Sequence, residues 1–291
     1  MKNYTIISDP GIDDLVALVL LYKLMPEAKN TLISTFGNAT EEITSLNAKE
    51  FIAFVVKSWK FISGSKIPLN GKIERPWPDY FHGPDGVWSI HPNVDIQNIS
   101  TGNVSLSTDK VISLATLTDP LTLLREKKVN EITIMGGAFK IEGNETKYAE
   151  TNMAFDPDAA KCFFDELKDI KAKIVPLDVT RKVYWSKDQI ENISENNEIN
   201  IWLKHLLSAW FDNYNHDREK DFNLHDPLAV YLDFFPEKAE WITSGVSVIT
   251  DGEKRGQTIF SDENSPCQIA LDLTDAKKIA NELYSVIFLK K

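Results

Sequence analysis

Short β-branched runs alternate with helical patterns through the first 180 residues, and no other feature limits the fold as strongly. Tyr4 to Ser8, Thr31 to Phe36, Lys110 to Ala115, Glu131 to Met135 and Lys173 to Leu177 read as strands. Asp13 to Leu24 reads as a helix, a second helical run passes through Ala48, Phe51 and Phe54, and helical segments separate the later strands. Strands alternating with helices form βαβ units, hence a parallel sheet covered on both faces. The expectation is one α/β domain over residues 1–291, a mainly parallel central sheet flanked by helices. Two stretches break the rhythm. Pro76 to Pro92, with its aromatics, prolines and glycines, reads as a long functional loop. Asp188 to Asp221 reads as helical with a turn at Asn196-Asn197, and predicts a helical insertion in the C-terminal half, about residues 185–222, over the active-site end of the sheet.

Composition narrows the partners. Asp and Glu outnumber Lys and Arg by 43 to 32, a net charge of −11, which argues against nucleic acid because phosphate binding needs a basic footprint. A small nucleotide-like ligand or a divalent cation remains compatible with that charge. Cys162 and Cys267 lie far apart and outside any CxxC pattern, as expected of buried thiols in a reducing compartment. The most apolar stretch, Leu15 to Met25, is too short for a membrane span of about 20 residues and is interrupted by Lys23. The chain enters its first strand without a signal-peptide pattern, so the expectation is a cytoplasmic protein with no membrane partner.

The densest acidic cluster is Ser8-Asp9-Pro10-Gly11-Ile12-Asp13-Asp14, where the first strand turns into the first helix. Helix capping explains one aspartate there. Three carboxylates in six residues at a strand's carboxyl end repel one another, and a hard cation held by oxygen ligands offsets that repulsion. Ligands of open α/β sheets bind at this edge.

Asp9-Pro10-Gly11-Ile12-Asp13-Asp14 resembles the N-terminal signature D-x-D-P-G-x-D-D of the inosine-uridine nucleoside N-ribohydrolase family. Further segments follow in the family's order: Phe36-Gly37-Asn38; His82-Gly83 with Gly86; Thr118-Asp119-Pro120-Leu121-Thr122; and Met135-Gly136-Gly137. Asn144, Glu150-Thr151-Asn152, Asp156-Pro157 and His225-Asp226-Pro227 complete the set over nearly the whole chain. The resemblance implies a Ca²⁺ ion held by Asp9, Asp14, Asp226 and the backbone carbonyl of Thr118, with Asp9 as general base on a metal-bound water. It implies that Asp13 and Asn152 bind the ribose diol, that Asn144 and Glu150 bind the 5′-hydroxyl, and that Asn38 and His82 line the pocket. His225 is implied beside the leaving base as its acid. The implied activity is hydrolysis of ribonucleosides to free base and ribose in salvage, by a homo-oligomer (dimer or tetramer).

These residue types suit that chemistry. Breaking an N-glycosidic bond passes through an oxocarbenium-like sugar, which carboxylates stabilise. A metal and a carboxylate together activate water, and a histidine of near-neutral pKa can protonate the departing base.

The departures are informative too. The family's first signature aspartate falls at Ile7, two residues before Asp9 and on the same strand face. Loss of that neighbouring charge predicts a weaker base at Asp9 and slower turnover with metal binding kept, to be restored by Ile7→Asp. It also leaves two alternatives, a catalytically impaired nucleoside- or ribose-binding protein and a hydrolase of another N-riboside. Asp119 and Leu123 stand where the family has Gly and Asn. Ile7 cannot serve as the nucleophile of haloacid-dehalogenase-type phosphatases, and no Walker or G-x-G-x-x-G motif occurs.

Of the remaining residues, His91, His205 and His216 read as surface histidines, and the Asp178-Val179-Thr180 strand end as supporting. Among Trp77, Trp88, Trp185, Trp202 and Trp210, only Trp88 is a candidate for nucleobase contact; the spacing of Trp202 and Trp210 suits core or a subunit interface.

Overall fold

The computed structural model describes residues 3–97, 99, 110–214 and 220–289. Its first half contains β1 (Thr5–Ser8), α1 (Ile12–Leu24), β2 (Thr31–Ser34), α2 (Glu41–Phe54), β3 (Lys60–Ser63), α3 (Asp79–His82), β4 (Lys110–Ser113), α4 (Thr118–Arg125) and β5 (Glu131–Met135). Next come α5 (Thr151–Phe155), α6 (Pro157–Glu166), β6 (Lys171–Val175), α7 (Leu177–Thr180), β7 (Tyr184–Trp185), α8 (Lys187–Glu191), α9 (Glu198–Asn213) and β8 (Phe222–Asn223). The chain closes with α10 (His225–Phe234), β9 (Ala239–Val248), β10 (Thr258–Ser261), β11 (Cys267–Leu273) and α11 (Ala276–Tyr284).

Among the described residues, nine strands form one sheet in the order β10-β9-β11-β6-β5-β4-β1-β2-β3. All neighbours from β3 to β11 pair in parallel, and β9 and β10 add an antiparallel edge. The mainly parallel α/β architecture is as expected. The strand series read from the sequence lacked β3, β9, β10 and β11.

Side-chain alternation builds two cores. Ile6, Leu32 and Ile112 pack in a cluster with residues of α1, α2, α9, α10 and α11. Their strand neighbours Ile7, Ile33 and Val111 pack in a second cluster with residues of α4 and α6. α1 lies deep in the first core: every residue from Ile12 to Leu21 is buried, which fits its near-continuous apolar sequence.

Strand order reverses at β1, which pairs with β2 on one side and β4 on the other. Chain segments therefore leave β1 and β4 in opposite directions and open a cleft at their carboxyl ends.

The helical insertion is present as α8 and α9, and β7 and β8 pair antiparallel across its base. Asn192 caps the end of α8 and Asn197 starts α9, so the chain turns between the two helices, as expected near Asn196-Asn197. Trp202 and Trp210 are buried in the first core, as is Trp185. The spacing of Trp202 and Trp210 on α9 thus reflects the core. Cys267 is buried and Cys162 half-buried, both as free thiols. No helix among the described residues is long and apolar enough to cross a membrane.

Candidate active site

Two helix starts and several strand ends meet at the cleft. β1 ends at Ser8, and the Asp9-Pro10-Gly11 turn sets Asp13 and Asp14 in the first turn of α1. α10 begins at His225, which puts Asp226 in a second buried first turn. Unsatisfied N–H groups and the helix dipole favour carboxylates at both places. Capping accounts for part of Asp14, whose Oδ2 accepts the Gly11 N–H at 3.0 Å while Oδ1 accepts the Ser8 hydroxyl at 2.6 Å. It does not account for the convergence. Carboxylate oxygens of Asp13, Asp14 and Asp226, all buried, lie within 4.8 Å of one another. Burial, followed by the charges of Asp13, Asp14, Asp9 and Glu150, holds Asp226 well above the usual carboxylate range. Burial also raises Asp14, against the hydrogen bonds it accepts.

Asp9 is equally buried. Its Oδ2 accepts the main-chain N–H of Asn38 at 2.7 Å, while Oδ1 has no hydrogen-bond partner among the described residues. Gly37 makes this approach possible, because a Cβ there would fall 1.9 Å from Asp9 Oδ2. The Asn38 side-chain amide donates to the Asp9 carbonyl at 3.0 Å and to Asp14 Oδ2 at 2.8 Å, binding the two aspartates together. Burial first, then the charge of Asp14, pushes Asp9 well above its ordinary value. This rise comes chiefly from desolvation, which acts on Asp9 whether or not residue 7 carries a charge. A buried, unpaired carboxylate oxygen beside three converging carboxylates suits a hard divalent cation, which takes oxygen ligands and neutralises their repulsion.

Two histidines flank this cluster. His82 Nδ1 accepts the Ile12 N–H at 3.2 Å, so the neutral ring carries its proton on Nε2. Burial, then the charge of His225, pushes His82 down to about 3. His225 Nδ1 lies 2.8 Å from the Thr180 hydroxyl, and burial followed by the Arg181 charge pushes this ring to about 3 as well. The expected near-neutral value at His225 is thus corrected, because a ring desolvated near a fixed cation stays unprotonated.

A cavity of about 1020 Å³ opens over the cluster. Of the residues anticipated from sequence, Asp13, Asn38, His82, Asn144, Glu150, Asn152, His225 and Asp226 line it. Glu150 caps α5 by accepting the N–H groups of Asn152 at 2.8 Å and Met153 at 3.2 Å, and it also accepts that of Gly137 at 3.0 Å. Burial nevertheless pushes it up to about 7. Asn152 Nδ2 donates to the Leu114 carbonyl at 2.9 Å, and Asn144 Oδ1 accepts the Thr151 N–H at 3.0 Å.

Asp9 and Asp14 are buried and do not themselves line the cavity, and two further anticipated residues lie elsewhere. Thr118 does not line the cavity: it opens α4, its hydroxyl donates to Asp156 at 2.6 Å, and its carbonyl accepts the Thr122 hydroxyl at 3.3 Å. Leu114, the residue following β4, lines the cavity instead. The adjacent Asp119 turns away to accept the Ser65 N–H at 3.1 Å. Trp88 also stays out of the cavity, its indole N–H donating to the Phe81 carbonyl at 3.1 Å within its own loop. His205 is exposed as expected, exposed His91 contacts Glu50 and Asp85, and His216 lies outside the described residues.

The sequence reading missed Phe81, Arg181, Tyr184, Tyr214 and Asn223, which also line the cavity. Arg181 follows Asp178-Val179-Thr180, which forms α7 rather than the strand end read from sequence, and it bonds backbone carbonyls that leave no side-chain pattern. The tyrosines and Asn223 flank the insertion and carry no local pattern.

Residues 6–281 match the family described as inosine-uridine preferring nucleoside hydrolase. The chain is 29% identical over 270 residues to a probable uridine nucleosidase 2 of Oryza sativa subsp. japonica, covering 86% of this chain and 79% of the relative. It is 28% identical over 277 residues to the pyrimidine-specific ribonucleoside hydrolase RihA of Salmonella paratyphi B, covering 86% of each. Among solved structures, the plant nucleoside hydrolase PpNRh1 superposes with a TM-score of 0.89 at 23% identity over 99% of both chains. A purine-preferring ribonucleoside hydrolase from Gardnerella vaginalis gives 0.87 at 21% identity over 98% of both. These two likenesses establish the fold. The family is metal-dependent, in keeping with the carboxylate set. The comparisons do not favour the binding-protein or other-riboside alternatives; this chain belongs to the inosine-uridine preferring nucleoside hydrolase family and is a nucleoside hydrolase.

Proposed function

We propose that the chain hydrolyses the N-glycosidic bond of ribonucleosides to free base and ribose, in salvage, with Ca²⁺ held by Asp9, Asp14 and Asp226. The observation that carries this reading is the buried, unpartnered Oδ1 of Asp9 beside the converging carboxylates of Asp13, Asp14 and Asp226. Bound there, the cation would supply Lewis acidity toward the attacking water and an anchor for the ribose diol.

The chain's own groups do the rest. Asp9 Oδ1 takes a proton from the attacking water. Asp13 and Asn152 hold the diol, while Asn144 and Glu150 accept and orient the 5′-hydroxyl. The surrounding carboxylates stabilise positive charge developing on the sugar ring. His82 offers an Nε2–H, and His225, oriented by Thr180, stands beside the base as a neutral hydrogen-bonding partner. Phe81, Tyr184 and Tyr214 supply apolar wall for the base. We place this activity in a cytoplasmic homo-oligomer; sedimentation showing a monomer would remove the last part.

Uridine is the first substrate to test, since the sequence relatives compared are named for uridine or pyrimidine ribonucleosides. Base and ribose should appear in equal amounts with Ca²⁺ and cease with chelator. A chain that releases base equally well after chelation contradicts the role given to the cation.

A further inference from the structure

A single helical turn reaches two walls of the cavity. α7 begins where the Leu177 N–H donates to the Gly137 carbonyl at 2.9 Å. From that point its residues bond the facing segment in step. Asp178 accepts the N–H groups of Phe139 at 2.9 Å and Lys140 at 2.8 Å. Arg181 then donates from Nη1 to the Glu142 carbonyl at 2.9 Å and from Nη2 to the Gly143 carbonyl at 3.1 Å. Residues 142–147 that follow all line the cavity, and Asn144 and Glu145 are among them.

This spacing is specific to a planar fork. Two guanidinium nitrogens reach consecutive carbonyls that one ammonium nitrogen would serve less well, and the charge is permanent at every working pH. Asp178 fixes where the segment begins; Arg181 fixes its height as it enters the cavity. We propose that Arg181 is a positioning residue that sets the register of residues 142–147, and through Asn144 the fit of the nucleoside's 5′ end. The proposal rests on the nucleoside-hydrolysis reading above and on the place given there to Asn144. The Arg181 charge also bears on His225, an effect shared by nucleosides with and without the 5′-hydroxyl, so loss of the fork at the 5′ end shows in the ratio between them.

The test compares a ribonucleoside with its 5′-deoxy analogue, using the Ca²⁺-loaded full chain and the variants Arg181→Met and Arg181→Lys. The parent is expected to prefer the 5′-hydroxyl by roughly 10- to 100-fold in kcat/KM, the range of a hydrogen bond to a charged or strongly polar partner. In Arg181→Met that ratio should fall to within about threefold of unity, through a larger loss on the hydroxylated substrate than on its 5′-deoxy analogue. Arg181→Lys should recover part of the ratio. A merely structural role would lower both substrates equally and leave the ratio unchanged, and that result overturns the proposal. A parent indifferent to the 5′-hydroxyl overturns it as well. A parent inactive on every nucleoside would instead defeat the functional reading on which it rests.

Discussion

Asn38 holds Asp9 by one oxygen only: its main-chain N–H donates to Oδ2 at 2.7 Å, and Oδ1 is left buried and unpartnered. The same residue's side chain donates to Asp14 Oδ2 at 2.8 Å, so one asparagine orients two acidic groups around a single point. Asn38→Ala keeps the main-chain bond to Asp9 and removes the hold on Asp14. Divalent-cation affinity should fall about 10- to 100-fold, as for other loss of support behind metal ligands. Calorimetric titration of the chelated protein with Ca²⁺ checks this, and an unchanged Kd would contradict it.

Ile7 is fully buried in the second core cluster, together with Ile33, Val111, Ala115 and Leu117. A carboxylate there enters an apolar setting with no evident cation to pair it. Ile7→Asp is therefore expected to cost about 3 kcal/mol of stability and to bring no gain in turnover. Urea denaturation and steady-state kinetics on the same variant decide the point. A faster and equally stable variant would restore the idea that Ile7 limits the rate.

Protonation of the cluster gives metal binding a pH signature. Asp9, Asp14 and Asp226 are all raised above their ordinary value of 3.8, chiefly by burial. In the metal-free chain the folded state thus binds protons that the unfolded state has already released. Its stability falls as pH climbs from about 4 toward the raised values. A cation that replaces those protons should stabilise more at pH 8 than at pH 5. Thermal melts with Ca²⁺ and with chelator at each pH measure the difference; a larger shift at pH 5 would be the wrong sign.

Glu150, pushed up to about 7 by burial, should leave its own mark on activity. Its ionised form is the better acceptor for a substrate hydroxyl, so kcat/KM should rise with pH through about 7. Glu150→Gln removes the ionisation and should flatten that limb while lowering the plateau. A limb that survives in Glu150→Gln belongs to another group.

The early strands and α1 were legible because burial imposes regular patterns on sequence: strand runs such as Thr31–Ser34 are short and β-branched, and α1 is apolar for most of its length. β9 to β11 were less legible, since an antiparallel edge half open to solvent mixes Glu240, Thr243 and Gln268 with its apolar residues. The acidic residues of the site could be read from the Asp9-to-Asp14 cluster and the ordered motifs around it. What local sequence did not carry was the state of those groups. His225 has the right place in sequence, but burial at a helix start and the charge of Arg181, 44 residues away, remove the proton expected of it. Thr118 likewise matches a motif, yet α4 takes up its carbonyl and Asp156 its hydroxyl. Arg181 acts on two backbone carbonyls, which no side-chain pattern records.

The central claim is that Asp9 serves as the base in nucleoside hydrolysis. It is tested most directly by measuring base release from uridine and a panel of purine and pyrimidine ribonucleosides, with the parent and Asp9→Asn under saturating Ca²⁺. Chelator-sensitive release by the parent is expected, with a loss of at least about 100-fold in kcat for Asp9→Asn, the lower range for removing a general base. Release by Asp9→Asn within a few-fold of the parent would contradict it.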